Sequence, residues 1–306
     1  MVDRIGELTE ILPYVREFLG KTFVIKLGGE VCAGKSLTDI AKQVSLIHHI
    51  GIKVVLVHGG GPQLDALCST LGIERHVVAG RRVTDEETLR ACKMVFAGLL
   101  STDIVAALRA QGASAAGLSG VDASLIGAVR RPPRQVATDD GDTRLVDFGM
   151  VGDIVSINTG FLTTLLHERV IPVVSSLGAT AEGQVLNINA DTVASALARE
   201  LKADKLILLS NVPGILKDKR DPSSLVSYAS IRSLEKMIAD GSIRDGMLPK
   251  VQACMEAVKG GVSRTHIIDG GKSDSLLMEL FLNQGCGTMI VDEPEMDRYQ
   301  HEVDGR

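Results

Sequence analysis

Five apolar runs of strand length, none of them alternating, set the strongest limit on what this chain can fold into. They are Phe23-Val24-Ile25-Lys26-Leu27, Val54-Val55-Leu56-Val57, Ile171-Pro172-Val173-Val174, Leu206-Ile207-Leu208-Leu209 and His266-Ile267-Ile268. Continuous apolarity marks a strand covered on both faces, as in a parallel sheet flanked by helices. Segments of helical period lie between the runs: Leu37–Ile50, Glu86–Gln111, Ala190–Leu201, Ile231–Asp240 and Pro249–Lys259. The alternation predicts an α/β fold, a three-layer αβα sandwich around an open, mainly parallel central sheet. Residues 113–157 break the rhythm with turn-rich pieces around Pro132-Pro133 and Asp139-Asp140-Gly141-Asp142, and read as a β-hairpin excursion, a rim or lid on the first half.

The ends differ from the middle. Ile5, Leu8, Leu12, Val15 and Leu19 recur at spacings of three and four, which predicts an amphipathic helix over 4–19 with a kink at Pro13. Such a helix either packs on its own domain or reaches a neighbouring subunit. From Asp292 onward the sequence is polar and acidic, and a loose tail is expected.

Composition removes several function classes. A net charge of −5, no Trp, three Tyr and six Phe give neither a basic stripe nor stacking platforms, so no nucleic-acid partner is expected. Five cysteines without a CxxC pair are neither a disulfide framework nor a zinc ribbon, so a reducing compartment is the default. The N-terminus lacks an apolar signal core and no 18-residue apolar run is evident, so a cytoplasmic protein with no membrane partner is expected. An anionic ligand must then be met by a few placed cations and by backbone N–H groups.

Two glycine loops fit that need. Lys26-Leu27-Gly28-Gly29 follows the first strand, and His58-Gly59-Gly60-Gly61-Pro62 follows the second and leads into a helix. Glycines at the carboxyl ends of parallel strands let backbone approach a ligand, and their N–H groups cradle anions. Either loop alone also reads as a plain strand-to-helix turn. Overlapping the first is Gly29-Glu30-Val31-Cys32-Ala33-Gly34-Lys35-Ser36, which satisfies the Walker A pattern and would put Lys35 on the phosphates. No good metal-binding Asp-terminated strand accompanies it, and the second loop would be left without a role.

Three more segments place polar groups in apolar context. Gly80-Arg81-Arg82-Val83-Thr84-Asp85 sets arginine near a helix start. Asn187-Ile188-Asn189-Ala190-Asp191 sends Asn187 and Asn189 to one face, with Asn189 also readable as a helix N-cap. Gly246-Met247-Leu248-Pro249-Lys250 puts a cation in the first helical turn, where it opposes the macrodipole; the plain alternative is a solvated lysine.

Together and in this order, these segments resemble the amino-acid kinase family, over almost the whole chain from Leu12-Pro13-Tyr14 to Gly285-Cys286-Gly287-Thr288-Met289. The resemblance implies an N-terminal oligomerisation helix (1–20), an amino-acid-binding lobe (21–180), an ATP-binding lobe (181–291) and a polar tail (292–306). It implies transfer of the γ-phosphoryl of ATP, with Mg²⁺ carried mainly by phosphates and waters and no protein metal site. The acceptor would be the γ-carboxylate of N-acetyl-L-glutamate, giving an acyl phosphate in arginine biosynthesis. An N-succinylglutamate or aminoadipate-type substrate, or a non-catalytic arginine sensor, are the alternatives. Arg130-Arg131-Pro132-Pro133-Arg134, the only dense basic run, reads as a solvated hairpin tip or as a docking patch for a carrier-linked substrate.

By the same resemblance Lys26 and Lys250 bridge the transferring phosphoryl oxygens and Asp191 orients both. Gly28, Gly29, Gly59 and Gly60 supply N–H donors; Gly60, Gly61, Arg82, Asn187 and Asn189 hold the amino acid; Ser210, Asn211 and Gly214 serve ATP. A hexamer, with a dimer as fallback, is implied by the N-terminal helix. Tyr14, Glu279, Gly285 and Gly287 would form an arginine effector site, weakened because Gly271 and Asp274 stand where regulated members tend to carry Arg and His.

Overall fold

The computed structural model describes residues 11–78, 80–137, 143–218, 220–282 and 285–296. Residues 4–10 of the leading helix, the Asp139-Asp140-Gly141-Asp142 turn and 297–306 of the tail lie outside the described residues.

The chain opens with helix α1 (11–18) and β1 (Thr22–Leu27), then α2 (Gly34–His49), β2 (Lys53–His58) and α3 (Gly61–Leu71). A short hairpin, β3 (Val77–Val78) and β4 (Arg81–Arg82), precedes a 25-residue helix. That helix runs as α4 (Glu86–Cys92), a π-type stretch (Lys93–Leu100) and α5 (Ser101–Ala110). Then come β5 (Ala115–Ser119), β6 (Ile126–Arg130), β7 (Arg134–Ala137), β8 (Thr143–Val146), β9 (Gly152–Ile157), α6 (Gly160–His167), β10 (Ile171–Ser175), β11 (Leu177–Ala179) and β12 (Val185–Asn187). The second half holds α7 (Ala190–Glu200), β13 (Lys205–Ser210), β14 (Tyr228–Ser230), α8 (Ile231–Ala239), α9 (Met247–Lys259), β15 (Arg264–Asp269), α10 (Ser275–Phe281) and β16 (Thr288–Val291).

Eight strands form the central sheet in the order β14-β16-β15-β13-β1-β2-β10-β5, parallel throughout except for the β15–β16 pair. Alternate residues of each strand enter opposite cores, which is why the runs are continuously apolar. Phe23, Ile25, Leu27, Val54, Leu56, Ile207 and Leu209 face α1, α2, α3, the long helix and α10. Val24, Val55, Val57, Leu206 and Leu208 face α6, α7 and α9. The three-layer expectation is met.

Some expectations change. The 113–157 excursion is not one rim: β5 is the edge strand of the central sheet, β6 and β9 join β11 and β12 in a second four-stranded sheet, and only β7–β8 is a projecting hairpin. The 86–110 helix is long and apolar enough by length and composition to cross a bilayer, although it holds no unbroken apolar run of that length, and it packs as a core helix through Val95, Phe96, Leu100, Ile104 and Leu108. The described part of helix α1 packs on its own domain through one face. The Phe18 ring meets Phe23 edge-on at 5.4 Å between centroids and Phe281 at a tilt at 6.0 Å, while Leu12 and Leu19 stay exposed. The start of the tail is anchored rather than loose, since Glu295 pairs with Arg264 and Glu293 accepts from the Arg232 N–H.

Candidate active site

The chain starts at β1 in mid-sheet, builds β2, β10 and β5 on one side, then returns to build β13, β15, β16 and β14 on the other. Loops leaving β1, β2 and β13 therefore diverge at the switch point, the crevice where open α/β sheets bind ligands. A cleft of about 590 Å³ lies there. It adjoins a pocket of about 410 Å³, and Ser210, Asn211 and Lys250 line both.

The centre of the cleft is an ionic triad. Asp191 is buried in the first turn of α7, where Asn189 caps the helix by accepting from the N–H groups of Asp191 and Thr192. Asn189 is thus the N-cap, and it also lines the cleft. Lys26 Nζ, from β1, lies 2.9 Å from Asp191 Oδ1, and Lys250 Nζ, from α9, lies 3.8 Å from Oδ2. Burial pushes the Asp191 carboxyl pKa up, but Lys26 and Lys250 pull it further down, and the net direction is below the ordinary carboxylate value. Two cations, one from the mid-sheet strand β1 and one from helix α9, converge on one anion.

The glycine loops wall the cleft. A Cβ on Gly29 would stand 2.5 Å from Pro62 Cδ, so the two loops meet only because that residue has none. Gly60 has φ 148°, and a Cβ there would strike Leu100. Carbonyls are held by side chains: Gln63 Nε2 donates to the Gly29 carbonyl at 2.7 Å. Gly28 departs from expectation. Its N–H donates to the Leu209 carbonyl at 2.8 Å, so it fastens β1 to β13 and has none to spare for an anion. Gly59 and Gly61 line the cleft beside it.

Arg82 and Asn187 form the far end. Arg82 pairs with Asp65 of α3, and Asn187 Nδ2 donates to the buried Thr84 hydroxyl at 3.2 Å. Sequence reasoning missed the arginines beside them. Arg131 and Arg134 line the cleft and share Asp153, with Arg131 donating twice to Oδ1 at 2.9 and 2.7 Å and Arg134 once to Oδ2 at 3.0 Å. They are not a solvated tip. The sequence signal was present in the basic run, but only the β6–β9 pairing brings Asp153 opposite it. Gly214 lines the second pocket with Val212, Pro213, Ile215, Ile243 and Met247, and does not line the first.

Lys35 is exposed, near the start of α2, and does not line the cleft, so the Walker-like string is a coincidence of pattern. Tyr14, Glu279, Gly285 and Gly287 lie elsewhere, around the α1–α10 contact. Glu279 there receives the N–H groups of Cys286 and Gly287 and pairs with His266 Nδ1 at 2.8 Å.

A parallel-sheet crevice with two lysines on one aspartate and two glycine loops defines a phosphotransferase of the amino acid kinase family, and the chain belongs to that family, whose sequence profile matches residues 21–269. Among curated relatives it is 45% identical to the acetylglutamate kinase of Symbiobacterium thermophilum, over 95% of this chain and 98% of that one. It is 47% identical to the acetylglutamate kinase of Myxococcus xanthus, over 95% of each. Within the family it groups with the acetylglutamate kinases. Among solved structures, N-acetylglutamate synthase from Neisseria gonorrhoeae superposes with a TM-score of 0.81 at 26% identity, over 98% of this chain and 70% of that one. Carbamate kinase from Giardia lamblia, at 21% identity and a TM-score of 0.63 over 90% of this chain and 99% of that one, shares the fold.

Proposed function

We propose that this chain transfers the γ-phosphoryl of ATP to the γ-carboxylate of N-acetyl-L-glutamate, with Lys26, Lys250 and Asp191 at the point of transfer. The observation that carries the reading is the triad, two ammonium groups aimed by one buried carboxylate at the seam between two cavities. The apolar pocket around Gly214 suits a base, with Ser210 and Asn211 at its inner end leading towards the glycine loops. Arg82 suits the α-carboxylate, because a guanidinium fork matches a carboxylate in two parallel bonds. Asn187, Asn189, Gly60 and Gly61 hold the rest of the amino acid.

A carboxylate is already a nucleophile, so no base has to remove a proton. The obstacle is repulsion between that anion and a polyanionic triphosphate. Lys26 and Lys250 offset this charge, and N–H groups of Gly29, Gly59 and Gly60 donate to oxygens of the transferring group. With Asp191 committed to the lysines, Glu30 and Glu256 are the remaining carboxylates at the cleft wall. That donor set fits a Mg²⁺ held by phosphates and waters rather than by the protein, and the ion supplies charge neutralisation. Trapping the product with hydroxylamine tests the acceptor. Hydroxamate from N-acetylglutamate is expected; hydroxamate from aspartate alone would overturn the assignment.

The finer reading extends to assembly and control. The chain is read as a cytoplasmic homo-oligomer, a hexamer with a dimer as fallback; exposed Leu12 of α1 and Leu19 just beyond it, beside a packed face, support the assembly. Light scattering on the chain with and without residues 1–19 tests it. Weak or absent arginine inhibition is supported by Glu279, which already accepts from the Cys286 and Gly287 N–H groups and pairs with His266.

A further inference from the structure

Behind the second glycine loop stands a buried histidine that the reaction as described does not use. His58 closes β2, is 0% exposed, and has its Nδ1 3.0 Å from the Gly59 carbonyl oxygen. A carbonyl only accepts, so Nδ1 carries the proton and donates. Burial pushes the imidazole pKa down to about 4, which keeps the ring neutral near pH 7. The other nitrogen, Nε2, has no hydrogen-bond partner among the described residues. Neither has Oγ of Ser175, which stands beside His58 across the β2–β10 pair. A leucine would fill this space without orphaning an acceptor, so packing alone does not account for the ring.

The peptide that His58 grips is the one that matters to the cleft. It is trans, so the Gly59 carbonyl and the Gly60 N–H leave on opposite sides. Drawing the carbonyl inward turns the N–H outward, where Gly59, Gly60 and Gly61 line the cleft. A glycine–glycine peptide has little of its own to hold that orientation. In the first loop a side chain likewise holds a glycine carbonyl, Gln63 Nε2 donating to Gly29.

We propose that His58 is a positioning residue for phosphoryl transfer: its Nδ1–H anchors the Gly59 carbonyl and thereby aims the Gly60 N–H at an oxygen of the transferring group. The inference rests on the reading of the glycine loops as the phosphate cradle. It is tested by two variants whose activity and stability should rank in opposite orders. His58→Leu keeps the core filled and removes the donor. His58→Asn leaves a void but places its Nδ2 where Nδ1 was. Misaiming one preorganised donor should lower kcat by about 10–10²-fold in His58→Leu, with both KM values nearly unchanged. His58→Asn should keep most of the activity while melting lower than His58→Leu.

Wild-type kcat in His58→Leu, or kcat falling in step with stability across both variants, would overturn the proposal. Should His58→Leu not fold, His58→Gln makes the same comparison, because its amide reaches the Nε2 position and leaves the carbonyl unheld. The Gly60 amide resonance on adding a non-hydrolysable ATP analogue separates this proposal from the choice of acceptor. It should shift in the wild type and His58→Asn but not in the donor-free variant. That result stands even if N-acetylglutamate proves not to be the substrate, and an equal shift in all three refutes it.

Discussion

Replacing Asp191 with asparagine removes one negative charge from between two ammonium groups while keeping the shape of the side chain. Lys26 Nζ at 2.9 Å and Lys250 Nζ at 3.8 Å set the scale. With an effective dielectric of about 20, the gross attractions are about 6 and about 4 kcal/mol. Several kcal/mol of desolvation of the buried carboxylate oppose them. Removing one member of such a buried set costs about 3–5 kcal/mol, because the remaining charges lose their partner. Denaturant melts of Asp191→Asn should therefore show a loss of that order. Catalysis should suffer separately. Both lysines remain, but repel each other and lose their aim, so kcat should fall by about 10²–10³-fold.

ADP release coupled to an indicator enzyme reads kcat, and KM for ATP should hold because the base pocket is untouched. Acid tests the same charge. The carboxyl titrates below its unfolded value, so its stabilisation is present above about pH 4, the unfolded value, and is lost as pH falls through the folded one. A less stable variant with kcat within about threefold of wild type would refute the reasoning, leaving Asp191 a purely structural ion.

Other outcomes follow from the same geometry. Lys26→Ala should lose about 10²–10³-fold in kcat and Lys35→Ala should stay within a few-fold, with the opposite ranking reviving the Walker-type loop. Arg82→Lys should chiefly raise KM for the acylated amino acid, since an ammonium cannot make two parallel bonds; an unchanged value with collapsed ATP affinity would place Arg82 elsewhere. Lys205 is buried, with its Nζ 5.1 Å from the Phe18 ring centroid, and burial pulls its pKa down to about 8. The unfolded chain thus binds more protons between about pH 8 and the ordinary lysine value near 10.4, and stability should rise with pH across that window. Lys205→Met should abolish the rise, as denaturant melts from pH 7 to 10 would show.

The sheet was legible because its strands are buried on both faces, which leaves a local signature in the sequence. The glycine loops and the Asn189 cap were legible for the same reason, as properties of a few consecutive residues. What escaped was set by partners far along the chain. Nothing near Gly28 says that its N–H will be taken by Leu209, 181 residues on. Nothing near Arg131 and Arg134 announces Asp153, which turns a basic run into a cleft wall. β5 was read as part of a lid because its Gly-containing sequence, Ala115-Ala116-Gly117-Leu118-Ser119, has weak strand character; it joins the sheet by pairing with β10.

The central claim is that a lysine–aspartate–lysine triad serves an N-acetylated glutamate. It is tested most directly by coupled ADP release across N-acetylglutamate, N-succinylglutamate, glutamate, aspartate and N-acetyl-aminoadipate, each with the wild type and Lys26→Ala. The account predicts the highest kcat/KM for N-acetylglutamate, above free glutamate and aspartate by about 10²-fold or more, and loss of that turnover in the variant. Preference for aspartate or glutamate, or N-acetylglutamate turnover that survives Lys26→Ala, would contradict it.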